Sequence, residues 1–430
     1  PLSFTWADNQ NGTVEVWNRN FFTDASAYDI RWELKEDATI LQSGKLHLAT
    51  PAQGREKLNI PYKRPDAKPG KEYRLLLTAT LKHDALWAPK GHEVAWDELE
   101  LPWNIPSDQT IRSASVPNYQ LEANELTVSG DGFRYIFDRH NGLLTSMNVG
   151  GKELLRAPFR LNLWRAPLAN EQDAWNASNA RSDKWKEGYG YSLATEMYSA
   201  GLDRLTHQPL TFTVSETGNR LRVEIVDIDL MGAGEKEKKD LYIEGVQSNG
   251  IRNRYEYLIG SDGTIELRHT LKPEGKMPLW LPRIGLTLTL NPNLDTVEWY
   301  GRGPQENYPD RKTGYRTGIY TTTVAQMYEP YLLPQDYGLR TDTRWLRLTD
   351  PKGTGILVSM DQHFNFNAYP YSTDNLTKAM YTYQLQPQDG ITLNLDYATS
   401  GVGCTARGIF PAYRAMPQSM QHTVVIKPVL

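Results

Sequence analysis

Two Asn-Glu pairs, Asn124-Glu125 and Asn170-Glu171, carry the residue types of an acid/base carboxylate with an amide neighbour. Cleaving a glycosidic bond with retention calls for two carboxylates about 5 Å apart, held across the bond at the ends of rigid strands. Asn124-Glu125 opens the run "ELTVS" and reads as a turn, whereas Asn170-Glu171 lies in "RAPLANEQDAW", a polar loop able to reach a ligand. Neither pair stands in an alternation of strands and helices, and no nucleophile elbow occurs, so no complete active site and no catalytic residue is assigned.

Other chemistries fit less well. The eight histidines stand singly, without a pair at metal-ligand spacing, and the one cysteine, Cys404, excludes an internal disulfide and a multi-cysteine site. No metal is expected. His363, among the amides and aromatics of "MDQHFNFNAYPY", has the surroundings a sugar would use. The "GTG" at 353–355 joins two strand-like runs and the "GRG" at 301–303 precedes a proline, so neither offers the helix N-terminus of a phosphate cradle.

The densest polar stretch is "YGRGPQENYPDRK", residues 300–312, following the strand-like "NLDTVEWY". Its glycines allow a tight turn, its prolines fix it, and Arg302, Glu306, Asn307, Asp310 and Arg311 pin neighbouring strands by charge-assisted bonds. Contact of Arg302, Glu306 or Asn307 with a sugar is the competing reading. Likewise, "LPQDYGLRTDTRW" gathers Gln335, Asp336, Arg340 and Arg344 into either a buried ionic brace or a polyol-binding group.

The elements that must position these residues read as strands. The chain has 430 residues, too many for one core, and its Lys+Arg 47 against Asp+Glu 51, interspersed, exclude a nucleic-acid footprint. No apolar run approaches the ~20 residues of a spanning helix, and the start, "PLSFTW", has neither Met nor a leader, as if cut from something longer. From 13 to 103, short alternating runs separated by Asp, Gly and Pro clusters predict a β-sandwich of about seven strands over residues 1–104. The proline-punctuated "NIPSDQTIRSASVPN" predicts a linker over 105–118. Residues 119–430 are again period-two runs with "HNG", "SDG" and "PKG" turns, which predict a large double-sheet sandwich. Residues 173–187 hint at a helix, and "GEKEKKD" at 234–240 reads as a solvated hairpin tip.

The ordered stretch Gly301-Arg302-Gly303-Pro304-Gln305-Glu306-Asn307-Tyr308-Pro309-Asp310-Arg311 resembles a signature in the C-terminal domain of large bacterial β-galactosidases of glycoside hydrolase family two. "FDRHNGLLTSMNVGGKELL", "LWRAPLANE", "MYEPYLLPQDYGLRTDTRWL", "FNFNAYPYS" and "LNLDYATSGVGC" follow in the order of that family. "TVEVWNRNFFTDASAYDIRWEL" is similar to its preceding immunoglobulin-like domain, so the resemblance covers the whole chain.

The resemblance implies an all-β chain whose larger unit is a supersandwich of the galactose-mutarotase kind, closing one side of an active site. It also implies a parent that is a retaining β-galactosidase, whose catalytic glutamates, and the magnesium and sodium often used, belong to a TIM barrel not present here. The chain alone is then an inactive portion that binds no cofactor; its partners are a β-galactoside or oligosaccharide, the remaining domains and further copies of the parent. Arg165, Asn170 and Glu171 match the start of the family's active-site loop, where Ala169-Asn170-Glu171 replaces Asp-Asn-Asp. The tryptophan that follows the "GVGC" motif in lactose-cleaving members is absent, and Arg407 or Phe410 stands in its place. A natural small chain of a two-chain enzyme, and a stand-alone carbohydrate-binding or mutarotase-like protein, are the alternatives.

Overall fold

The computed structural model describes residues 1–106, 113–171, 193–232, 249–404 and 408–430. The helix hint at 173–187, the charged run at 234–240 and Arg407 lie outside the described residues. The chain divides into two compact units, Pro1–Thr110 and Ile111–Leu430.

In the first unit Leu2–Asp8, Thr13–Asn18 and Arg55–Asn59 form one antiparallel sheet, and Thr39–Leu46, Tyr28–Glu36, Tyr73–Leu81 and Glu93–Leu101 form another. Period-two alternation turns Val14, Val16, Trp32, Leu34, Leu75 and Leu77 into a single core between them. The strand Thr39–Leu46 has no buried residue, so the sequence carries little apolar alternation to reveal it.

The second unit stacks a five-stranded sheet, built from Asn118–Leu121, Glu125–Gly130, Phe133–Asp138, Leu143–Val149 and Lys152–Glu153, on a twelve-stranded one. Phe137 from the small sheet meets Tyr257 of the large one edge-on, with ring centroids 5.2 Å apart, inside a core that includes Val223, Ile225 and Leu267. The long path of the large sheet runs from Leu155–Asn162 through Arg283–Leu290, Ile391–Thr399 and Gly355–Tyr369 to Met420–Val429, Ile265–Glu274, Gly250–Ile259, Arg220–Leu230 and Thr206–Thr217. Thr296–Gly303, Arg316–Thr323 and Arg340–Thr349 branch from it. The chain is all-β; its two described α-helices, Leu193–Ala200 and Thr373–Lys378, are short, and no described helix is long and apolar enough to cross a membrane.

Three neighbouring strands carry apolar residues on one face and polar residues on the other. Ile284, Leu286, Phe366, Ala368, Leu393 and Leu395 enter the core. Arg283, Asn367, Asn394 and Asp396 occupy the alternate positions and are also fully buried, because loops cover that face.

Candidate functional site

The loop 163–171 continues from the strand Leu155–Asn162 and is tied down by its own charges. The Arg165 guanidinium, with no exposed surface, donates to the Ser400 carbonyl at 2.8 Å and the Gly401 carbonyl at 2.9 Å, and pairs with the Glu171 carboxylate at 2.6 Å. Glu171 also accepts from the Leu168 amide at 2.8 Å, which closes the turn. Gln335 accepts from the Ala169 amide at 2.5 Å. What remains outside is the tip: Ala169 is exposed and Asn170 half-buried, its Nδ2 donating to the carbonyls of Val402 at 3.3 Å and Gly403 at 3.2 Å. Asn170-Glu171 therefore divides, with Asn170 at the surface and Glu171 beneath it.

The stretch 300–312 fastens three loops. Asp310 accepts from the amides of Val402 at 2.9 Å and Gly403 at 2.7 Å. The Glu306 carboxylate accepts from the Gly338 amide at 2.8 Å, from Arg311 at 2.5 Å and from the Tyr331 hydroxyl. Asn307, wholly buried, accepts from the amide and hydroxyl of Thr341 and donates to the Gln305 carbonyl at 3.1 Å. Arg302 donates to Asp342 at 2.6 Å and to the Tyr315 carbonyl at 2.8 Å.

The glycines of this stretch serve a different end from the expected turn. Gly301 and Gly303 belong to the strand Thr296–Gly303, and neither has a positive φ. A Cβ on Gly303 would lie 2.8 Å from the Tyr320 ring and 2.9 Å from the Trp299 indole, so close packing is what requires glycine there.

Beneath these loops lies an ionic brace. Arg283, without exposed surface, reaches Asp336 at 3.2 Å and Asp396 at 3.4 Å. Asn367 donates to Asp336 at 3.1 Å, and Asn394 donates to Asn367 at 2.9 Å. Burial pushes Asp396 up to about 6 although Arg283 pulls it down, and burial likewise raises Asp336. Arg340 donates to the Gly338 carbonyl at 2.9 Å and lies over the Trp299 ring; burial lowers it to about 10 against the pull of Glu306. Arg344 lies over the Tyr300 ring. Of Gln335, Asp336, Arg340 and Arg344, Asp336 alone joins this brace, paired with Arg283, while Gln335 holds the loop 163–171 and the two arginines lie against aromatic rings.

Of the sequence-derived candidates, Arg165, Asn170 and Glu171 come together against 400–403, and Arg302, Glu306 and Asn307 act on 331–342. Arg407 lies outside the described residues, while Phe410 is 71% exposed nearby in sequence. Sequence reasoning missed Arg283, Asn367, Asn394 and Asp396. Their signal was present as the polar half of "FNFNAY" and "LNLDYAT" and as the charge opening "RIGLTLTL".

A family model described as "Beta galactosidase small chain" matches residues 129–426, and another, "Beta-galactosidase, domain 4", matches residues 14–102. The chain belongs to the β-galactosidase small-chain family. Among curated relatives of this family, a β-galactosidase of Priestia megaterium is 30% identical over 406 residues, covering 94% of this chain and 36% of its own. One of Vibrio cholerae is 31% identical over 337 residues, covering 78% of this chain and 30% of its own. The chain therefore spans about a third of the length of these β-galactosidases, corresponding to their C-terminal part. A GalM/aldose epimerase homologue from C. elegans superposes with a TM-score of 0.37 and 9% identity over 72% of this chain and 98% of that chain, a likeness too slight to argue from.

Proposed function

We propose that this chain is the C-terminal, non-catalytic portion of a β-galactosidase that hydrolyses terminal β-galactosides with retention, and that its larger unit supplies one wall of the sugar site. The carrying observation is the solvent-facing tip Ala169-Asn170, held beside Gly403 by the Arg165–Glu171 pair below and by Asp310 behind. Such a tip presents an amide side chain to sugar hydroxyls from a rigid base. Arg165, Glu171, Arg302, Glu306 and Asn307 then act by positioning, and Asn170 and Arg407, with Phe410 as an aromatic face, meet the sugar.

Carboxylate chemistry supports the non-catalytic assignment. Asp227 and Asp229 share the Asn253 amide, and Asp336 and Asp396 share Arg283; all four are buried rather than facing a cleft. Retention through a covalent glycosyl-enzyme, any magnesium or sodium, and the subunit contacts of a homo-oligomer fall to the remainder of the parent.

Asn170→Ala in the whole parent enzyme tests the reading. A lost hydrogen bond of about 1 kcal/mol predicts a KM for a nitrophenyl β-galactoside raised about fivefold, with the melting temperature unchanged. An unaltered KM contradicts it.

A further inference from the structure

Away from these loops, the edge of the large sheet carries a second polar cluster. In the antiparallel register His207 of the edge strand Thr206–Thr217 stands directly opposite Asp229 of Arg220–Leu230, and Asp227 stands opposite Asn253 of Gly250–Ile259. Asp227 and Asp229, two residues apart, share one face. His207 Nδ1 lies 3.4 Å from an Asp229 oxygen and 3.7 Å from an Asp227 oxygen, and the three atoms fall within 4.8 Å of one another. The other carboxylate oxygens accept from one Asn253 amide nitrogen at 2.7 and 2.9 Å. Asn253 Oδ1 is in turn 3.1 Å from His269, so the amide cannot swing away freely.

The two ring nitrogens of His207 have different neighbours. His207 Nε2 lies 2.8 Å from the Asn141 carbonyl, which can only accept, so Nε2 carries the proton and donates. With Nε2 so engaged, Nδ1 is the ring nitrogen that faces both carboxylates. Both carboxylates are more than nine-tenths buried, and among the described residues no lysine or arginine pairs with either. A divalent cation held by Nδ1 and the two carboxylates makes a group of zero net charge, which suits a site at low dielectric.

We propose that His207, Asp227 and Asp229 form a site for a first-row divalent transition metal, of the zinc class, with Asn253 orienting both carboxylates. One imidazole nitrogen and two carboxylate oxygens are the donor set such ions take, and Nδ1-to-oxygen spacings of 3.4 and 3.7 Å approach the edge of a tetrahedron with bonds of about 2.1 Å. His207 retains 15% side-chain exposure, which gives the ion an entry path and water a remaining coordination position. The site joins the edge strand to its two neighbours, and its role is structural. Linear spacing could not reveal it, because the histidine and the aspartates meet only through strand register.

Zinc titration of the chelator-treated 430-residue chain by calorimetry, repeated with cobalt followed by visible absorption, tests the assignment. One equivalent should bind, cobalt should develop the intense bands of low-coordinate geometry, and His207→Gln and Asp229→Asn should each weaken binding at least about tenfold. His207 is near the surface, so H207Q reports even where the aspartate variant fails to fold. Absence of saturable binding, or binding that H207Q leaves intact, overturns the proposal and leaves an imidazolium–carboxylate cluster.

Discussion

Arg165 and Glu171 form an ion pair with essentially no exposed surface, and such a pair is worth most when one partner is removed. Glu171→Gln leaves the guanidinium buried without its counter-charge, and the expected loss is about 3–5 kcal/mol of stability in denaturant unfolding. A loss below about 1 kcal/mol contradicts the pairing. His269 makes a prediction about pH. It is buried on Asn253, stacked on Tyr255, bonded to Tyr397 and beside His422, and burial, with His422 adding to it, holds it down at about 3. The unfolded chain takes up this proton near an ordinary imidazole's 6.5, the folded chain only near 3, so His269 favours folding above 6.5 and loses that contribution as pH falls. Asp396, raised to about 6, opposes the trend by favouring the folded state more at the acid end of the range between an ordinary carboxylate's 3.8 and 6. Comparison with His269→Gln isolates the histidine: the variant's melting temperature should fall less between pH 7 and pH 5 than the parent's. An equal fall in both removes the assignment.

At the scale of elements, alternation was the readable part. Period-two runs announced most of the strands and the apolar half of each, since Phe366, Leu393 and Leu395 enter the core as their spacing requires. The destination of the polar half was not readable. Asn394 and Asp396 look solvent-facing by alternation but lie under the loops 163–171 and 331–342, and only long-range contacts decide that. The stretch 300–312 was legible as a fastening and illegible in detail: Gly301 and Gly303 yield space to Thr343, Trp299 and Tyr320 instead of turning the chain. Gly401 shows the same demand, since a Cβ there would lie 2.3 Å from Asp310 Cγ. Gly401→Ala should therefore dislodge the Asp310 carboxylate from the amides of Val402 and Gly403. Losing these charge-assisted bonds, about 1.5–3 kcal/mol each, should speed hydrogen exchange at both amides tenfold or more. Unchanged protection would mean the loop is held elsewhere.

At the scale of the molecule, family membership rests on a match to residues 129–426 and on relatives of which this chain spans about a third. On the proposed reading the larger unit is one wall of a sugar site completed elsewhere, so the isolated chain should not turn over a nitrophenyl β-galactoside above the uncatalysed rate. In the proposed function residues 300–312 act on the sugar through the loops they tie and touch no sugar themselves. The most direct measurement is steady-state kinetics of the whole parent enzyme carrying Asp310→Ala. The expected result is a KM for the β-galactoside raised about tenfold or more, with kcat less affected, as the loop 400–403 comes free beside Asn170. A KM equal to the parent's, with only the melting temperature lowered, would contradict it.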